Sequence, residues 1–275
     1  MQSEKRQMDG QTNSERPVLY DGKAIKIYQD CTPDRLVVRF TDTITAYNLI
    51  KTARIAGKGH VNNMISAIIA CHLEKAGIRT PFVKIISEEE QLWNKAALIP
   101  IEVIVRNVIA GSMARRLGLD EGLRPANTIY DLCYKNKDLE DPLINDHHAV
   151  ALGLVSYAEL QEIYRQTEKI NSVLVPLFRS IGIDLVDFKI EFGRLADGTL
   201  VLADRITPDN SRLWDISTGA RLDKDRFRRD MGKVGDAYRD VLARLESVSP
   251  FHQALESGMP KDEVVQGMDQ VKDNE

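Results

Sequence analysis

The chain has 275 residues, with Lys+Arg 37 against Asp+Glu 41, a formal net charge of -4 and 43% hydrophobic residues. That balance leaves room for a sizeable core and two moderate lobes, and it gives no general electrostatic pull toward nucleic acid or an anionic membrane. Three scattered cysteines, Cys31, Cys71 and Cys133, have neither the spacing of a disulfide framework nor that of a zinc site, which fits a reducing cytoplasm.

The opening MQSEKRQMDGQTNSERP is polar, lacks an apolar signal core and reads as a disordered leader over residues 1–16. No apolar run approaches the ~18 residues expected of a membrane span. Residues 18–48 are strand-rich: VLY, a turn at Asp21-Gly22, AIKIY, then LVVRF. From Asn62 onward, Met64, Ile65, Ile68, Ile69 and Leu73 recur at helical spacing until Gly77, near its expected C-cap, and His72 reads as a helix-face residue rather than a ligand.

FVKIIS and IPIEVIVRNVIAG are further strand candidates, the second setting Glu102, Ile104 and Arg106 against Ile101, Val103 and Val105. Ser112 is placed to cap the helix MARRLG, and a Gly111-Ser112 opening onto a helix start offers N–H groups to an anion. Ser156 and Glu159 form a capping box for a long amphipathic helix, with a kink or break expected at Pro176. The run DKDRFRRD reads as a solvated helix face, and the chain after Pro250 is weakly patterned.

The stretch VDFKIEFG puts Val186, Phe188, Ile190 and Phe192 on one face of an extended chain and Asp187, Lys189 and Glu191 on the other. A solvated outer strand would look the same. Asp197-Gly198, before TLVLADRI, suggests a two-residue turn in which Ala196 faces Thr199; counting outward then sets Glu191 opposite Asp204. Two facing carboxylates repel, and a divalent cation with positions left for phosphate oxygens relieves them, which describes a nucleotide-bound magnesium site. Mixed strands and helices without strict alternation predict an α+β protein of two lobes: a β-rich lobe over residues 17–95, a second over 96–248 with the polar hairpin face lining a cleft, and a tail over 249–275.

The blocks LYDGKAIKIY, GKGHVNN, IPIEVIVRNVIAGS, DPLIND, VDFKIEFG, LADRITPDNSRLWD and DKDRFRRDMG occur in the order seen in the SAICAR synthetase family, which the chain resembles over roughly residues 18–246. The resemblance implies an ATP-grasp-related fold and an ATP-dependent ligase that joins carboxyaminoimidazole ribonucleotide (CAIR) to aspartate through an acyl phosphate. It carries Glu191 and Asp204 over as magnesium acids, Lys23 and Lys135 as contacts of ATP, and Arg106, Ser112 and Arg212 as holders of the ribonucleotide and its phosphate. Asp187 and Lys189 match cleft residues beside the reacting carboxylate. A homo-oligomer is common in the family.

Four departures from the family pattern stand out: Ile25 where GKAK has its second lysine, Thr43 and Leu49 in FTDTITAYNLI in place of an acid and a glycine, Arg205 in LADR, and His147 where an acid is frequent. Lys26 points to the opposite strand face from Ile25 and cannot substitute without a register change. The retained arginines and metal acids favour the purine ligase. The departures favour a paralogous amide ligase with another carboxylate or amine, and a catalytically weak nucleotide-binding protein is a third reading.

Overall fold

The computed structural model describes residues 16–47, 49–250 and 252–272; the expected leader, residues 1–15 of it, lies outside them. The N-terminal part is built from β1 (Val18–Asp21), β2 (Ile25–Gln29), β3 (Arg35–Phe40), a hairpin of β4 (Thr43–Ala46) and β5 (Lys51–Arg54), helix α1 (Lys58–Lys75), β6 (Phe82–Ser87) and β7 (Glu90–Asn94). Five of these strands form one sheet in the order β1-β2-β3-β7-β6. Its inner face, with Ile25, Val38 and Phe40, packs with α1, while Lys26 turns the other way and pairs with Asp21 at 2.7 Å. Fourteen residues of α1 are buried, so this helix is enclosed nearly all round and is held by its surroundings.

The chain continues with β8 (Ala97–Arg106), α2 (Gly111–Leu117), β9 (Ile129–Tyr134), β10 (Leu143–Ile144), α3 (Asp146–Ala151) and α4 (Tyr157–Ser180). Next come β11 (Ile183–Arg194), β12 (Leu200–Leu202), β13 (Ser211–Asp215), α5 (Asp225–Arg228), α6 (Val234–Val248), α7 (His252–Glu256) and α8 (Lys261–Lys272). The second sheet runs β10-β9-β8-β11-β12, with β13 also paired to β11. A continuous cluster of buried apolar side chains joins both sheets to α1, α4 and α6. Among the described residues no helix is long and apolar enough to cross a membrane.

Several local expectations give way to tertiary context. Helix α4 runs through Pro176 without a break, because Ile170, Leu174 and Phe178 form a buried stripe facing the second sheet, and that packing outweighs one missing hydrogen bond. Ser112 is the second residue of α2, not its cap; Ala110 holds the N-cap position without a side-chain bond. The stretch after Pro250 forms α7 and α8, anchored by buried Leu255 and Val264. The DKDRFRRD run is not a solvated face: Asp223 and Asp225 are buried and α5 is a single turn.

The hairpin register also differs from expectation. Phe192 pairs with Leu202 and Arg194 with Leu200, and the Leu195 and Thr199 backbones close a three-residue loop with Gly198 at φ +82°. The extra loop residue moves every partner by one, so Glu191 meets the Ala203 backbone rather than Asp204. Strand β12 has ended by then, and β13 joins β11 only from Ser211. The middle of β11, Lys189–Glu191, is therefore flanked on that side by the 203–210 loop, which carries Asp204 and Arg205. Arg205 lies in this loop rather than in a strand, and its guanidinium pairs with Asp204 at 3.0 Å.

Candidate active site

Strand β11 presents its two faces as its alternation requires. Val186, Phe188, Ile190 and Phe192 are at most 1% exposed, while Asp187, Lys189 and Glu191 share the opposite face. Antiparallel pairing with β8 sets Asp187 across from Arg106, Lys189 from Ile104 and Glu191 from Glu102. The facing carboxylates are thus Glu102 and Glu191. Lys189 bridges them, donating to Glu102 at 2.5 Å and to Glu191 at 2.8 Å, and Lys135 donates to the other Glu191 oxygen.

These groups set one another's protonation. Burial disfavours ionisation of Glu191, but Lys189 and Lys135 outweigh it and hold the carboxyl well below its ordinary value. Burial is the main cause that pushes Glu102 up, only partly offset by Lys189. Asp204 is also raised, by burial and then by the Glu191 charge, which places its carboxylate within electrostatic reach of Glu191 although not opposite it in the ladder. Lys189 resists burial because Glu191, Asp204 and Glu102 keep it charged.

A second cluster adjoins the first. Arg106, 1% exposed, donates to Asp131 at 2.7 Å, to Asp187 at 3.2 Å and to the Ser112 hydroxyl at 3.4 Å. Arg212 donates to Asp187 at 2.7 Å and to Asp225 at 2.9 Å. Burial pushes the Asp187 carboxyl up against the pull of both guanidiniums. The Arg212 guanidinium lies so close to Gly111, itself at φ +57°, that a Cβ there would approach it to 2.2 Å. Only glycine leaves room for that arginine. Lys189, Asp187, Arg106, Ser112 and Arg212 line a cavity of about 280 Å³ together with Asp209, Asn210, Lys224 and Arg228.

Lys23 is not brought to these clusters. It is exposed and lines a separate cavity of about 370 Å³ with Lys26, Arg39, Thr41, Asp42 and Arg54. Ile25 packs toward the core, Leu49 takes φ +71° at the end of the β4–β5 turn, and His147 meets the Tyr157 hydroxyl at 2.5 Å. Glu102, Asp131, Asp209, Lys224 and Asp225 were not singled out from sequence. Glu102 and Arg106 did carry a signal, a polar face alternating with Ile101, Val103 and Val105, but nothing local says that this face meets β11.

The donor set suits a hard divalent cation. Glu191 and Asp204 are oxygen donors whose mutual repulsion a cation would relieve, and no group of three or more His, Cys, Asp or Glu among the described residues forms a complete protein cage. Two carboxylates with positions left for phosphate oxygens and water match the habit of magnesium.

The SAICAR synthetase family model matches residues 18–245. The phosphoribosylaminoimidazole-succinocarboxamide synthase of Clostridium beijerinckii is 51% identical over 228 residues, covering 83% of this chain and 97% of that protein. Its namesake from Fusobacterium nucleatum is 53% identical over 227 residues, 82% of this chain and 96% of the relative. Among solved structures, the synthase of Ehrlichia chaffeensis superposes with a TM-score of 0.82 at 41% identity, covering 84% of this chain and 98% of that one. A SAICAR synthetase in complex with ADP gives 0.81 at 41% identity, with 85% and 99% covered. On sequence and fold together, this chain belongs to the SAICAR synthetase family.

Proposed function

We propose that the protein is the ATP-dependent ligase of purine biosynthesis that condenses CAIR with L-aspartate to give SAICAR, ADP and phosphate. The names of relatives at about half identity over most of the chain support this over a paralogous ligase, and the ADP complex of a structural neighbour supports nucleotide use. The observation that carries the reading is the single cavity in which the Arg106–Ser112–Arg212 cluster runs into Lys189, itself bridged to Glu191.

A carboxylate resists an amine because it is anionic and lacks a leaving group. A CAIR carboxylate oxygen bonds to the γ-phosphorus of ATP as the bond to ADP breaks; the aspartate nitrogen then bonds to the acyl carbon, phosphate leaves with the former carboxylate oxygen, and the nitrogen loses a proton. Arg106 and Arg212 present forked donors suited to a phosphate, with the Ser112 hydroxyl beside them. Asp187 fixes both guanidiniums in place. Lys189 stays cationic beside the reacting carboxylate, and Lys135 is set to meet the nucleotide phosphates. Glu191 and Asp204 would hold magnesium, which neutralises phosphoryl charge when bound. Lys23 belongs to this reading as a phosphate contact only through the family pattern. A nucleotide-binding lobe over residues 17–95 and a metal and substrate lobe over 96–248 are part of the proposal, supported by the change of sheet between Asn94 and Ala97.

The test is ADP release with magnesium, ATP, CAIR and aspartate, each omitted in turn, with product mass checked. Turnover that needs all components and yields the succinocarboxamide is expected. Persistent absence of that product from folded, ATP-binding protein would point to another carboxylate or amine.

A further inference from the structure

Among the described residues, one cation lining the substrate cavity makes no direct ion pair. Arg106, Arg212 and Arg228 are each tied to buried aspartates, and Lys189 to Glu102 and Glu191. The Lys224 ammonium lines the same cavity, yet among the described residues it makes no hydrogen bond or ion pair. Its backbone is fixed: its N–H donates to Pro208 at 3.0 Å, and buried Asp225 follows it in the chain. The backbone is therefore anchored, while the ammonium has no direct ion pair and feels Asp209 only at a distance.

The surroundings explain why no internal carboxylate answers it. Asp209 is the nearby acid, but its oxygens already accept from Lys58 at 2.8 Å, Asn62 at 2.9 Å and Tyr238 at 2.9 Å. The next largest charge influences on Lys224 are Arg228, Lys58 and Arg205, all cationic. Burial, the largest cause, and these like charges pull the Lys224 ammonium down to about 8 against the opposing charge of Asp209. A carboxylate arriving there would meet a pre-positioned donor without breaking any existing ion pair.

Lys224 shares the cavity with the phosphate cluster but is not among the charges that dominate it. The charges that dominate Asp187 and Arg212 are each other, Arg106 and Asp225. Those arginines surround Ser112 and Gly111, whereas Lys224 lies within electrostatic reach of Arg205, which is paired to Asp204, one of the two acids assigned to the metal. The incoming amine must approach the acyl carbon from that vicinity, and aspartate differs from most amines in bringing two carboxylates with it.

We propose that the Lys224 ammonium binds a carboxylate of the amine substrate, so that Lys224 selects a dicarboxylic amino acid over other amines. The inference rests on the CAIR–aspartate reading of the same cavity.

The experiment compares wild type, Lys224→Met and Lys224→Arg in steady-state assays that vary aspartate, CAIR and ATP separately. Hydroxylamine then replaces aspartate, because it traps an activated acyl group as a hydroxamate and carries no carboxylate. Loss of one charge-assisted bond predicts a rise of about ten- to a hundredfold in the KM for aspartate in Lys224→Met. The KM for CAIR should stay within about twofold, hydroxamate should form at near the wild-type rate, and Lys224→Arg should recover most of the aspartate affinity. An unchanged KM for aspartate, an equal rise for CAIR, or equal losses in the Met and Arg variants would overturn the assignment. Wild-type protein that makes hydroxamate from CAIR but no product from aspartate would overturn the function reading itself, and the subsite with it.

Discussion

Glu102 stands directly across the β8–β11 ladder from Glu191, and the Lys189 ammonium donates to both, at 2.5 and 2.8 Å. Two largely buried carboxylates in adjacent strands are tolerated because one lysine lies between them. Removing that lysine leaves like charges facing each other with little water to screen them. Lys189→Met is expected to destabilise the fold by about 3 kcal/mol, the scale of a broken buried pair. The double variant with Glu102→Gln should regain part of that loss in chemical denaturation. Additive effects of the two changes would show that the bridge does not operate.

The Glu191 and Asp204 pair carries the metal assignment. Asp204→Asn keeps the shape of the side chain and the bond that Oδ1 accepts from the Arg205 N–H, but it removes the charge and the acceptor that faces Asn210. We expect ADP release to fall at least about a hundredfold at millimolar magnesium in protein that is still folded by circular dichroism, with a weaker response of intrinsic fluorescence to magnesium with ADP. Wild-type turnover in this variant would remove Asp204 from the site.

Gly111 is required by its neighbour as much as by its own backbone. A Cβ would meet the Arg212 guanidinium at 2.2 Å, and φ is +57°. Gly111→Ala should displace that guanidinium and raise the KM for CAIR by about tenfold or more, with little change for ATP, since misplacing one charged donor costs on the order of 1.5–3 kcal/mol. Equal effects on both substrates would contradict the role given to Arg212.

Lys58 and Asp209 form a buried ion pair at 2.8 Å, linking the start of α1 to the 203–210 loop. Asp209→Asn is expected to cost about 3–5 kcal/mol, because Lys58 is left charged and buried. Burial opposes ionisation of Asp209, yet Lys58 and Lys224 lower it to about 2. With the folded value depressed, its contribution is complete above about pH 4 and lost as pH falls toward 2. Acid denaturation of wild type and variant should converge in that window.

Burial, with Lys75 as a smaller cause, lowers His72 from 6.5 to about 4. Between those values the unfolded chain binds the additional proton. Stability from this residue is therefore complete above about pH 6.5 and declines as pH falls toward 4. Melting temperatures of wild type minus His72→Gln, measured across that range, should drop with decreasing pH; a flat difference would show that His72 is not held neutral.

Where alternation and local signals govern, the sequence was sufficient. The buried and polar faces of VDFKIEFG, the α1 periodicity ending near Gly77 and the separation of Ile25 from Lys26 appear in the fold as their residues require. Local reasoning failed where long-range packing competes. Pro176 sits inside a helix held by its buried stripe, and the charged DKDRFRRD run turns Asp223 and Asp225 inward, Asp225 binding Arg212 and Arg228.

By itself the sequence determined the family, the α+β class and the face of β11 that holds Asp187, Lys189 and Glu191, because side-chain alternation and ordered motifs are properties of short segments. The tertiary structure decided which charges meet. A three-residue loop shifted the hairpin by one position, the end of β12 let the 203–210 loop carry Asp204 beside the strand, and β8 supplied Glu102 as the carboxylate opposite Glu191. Strand partners and loop paths are set by the closing of the whole core, which no local window contains.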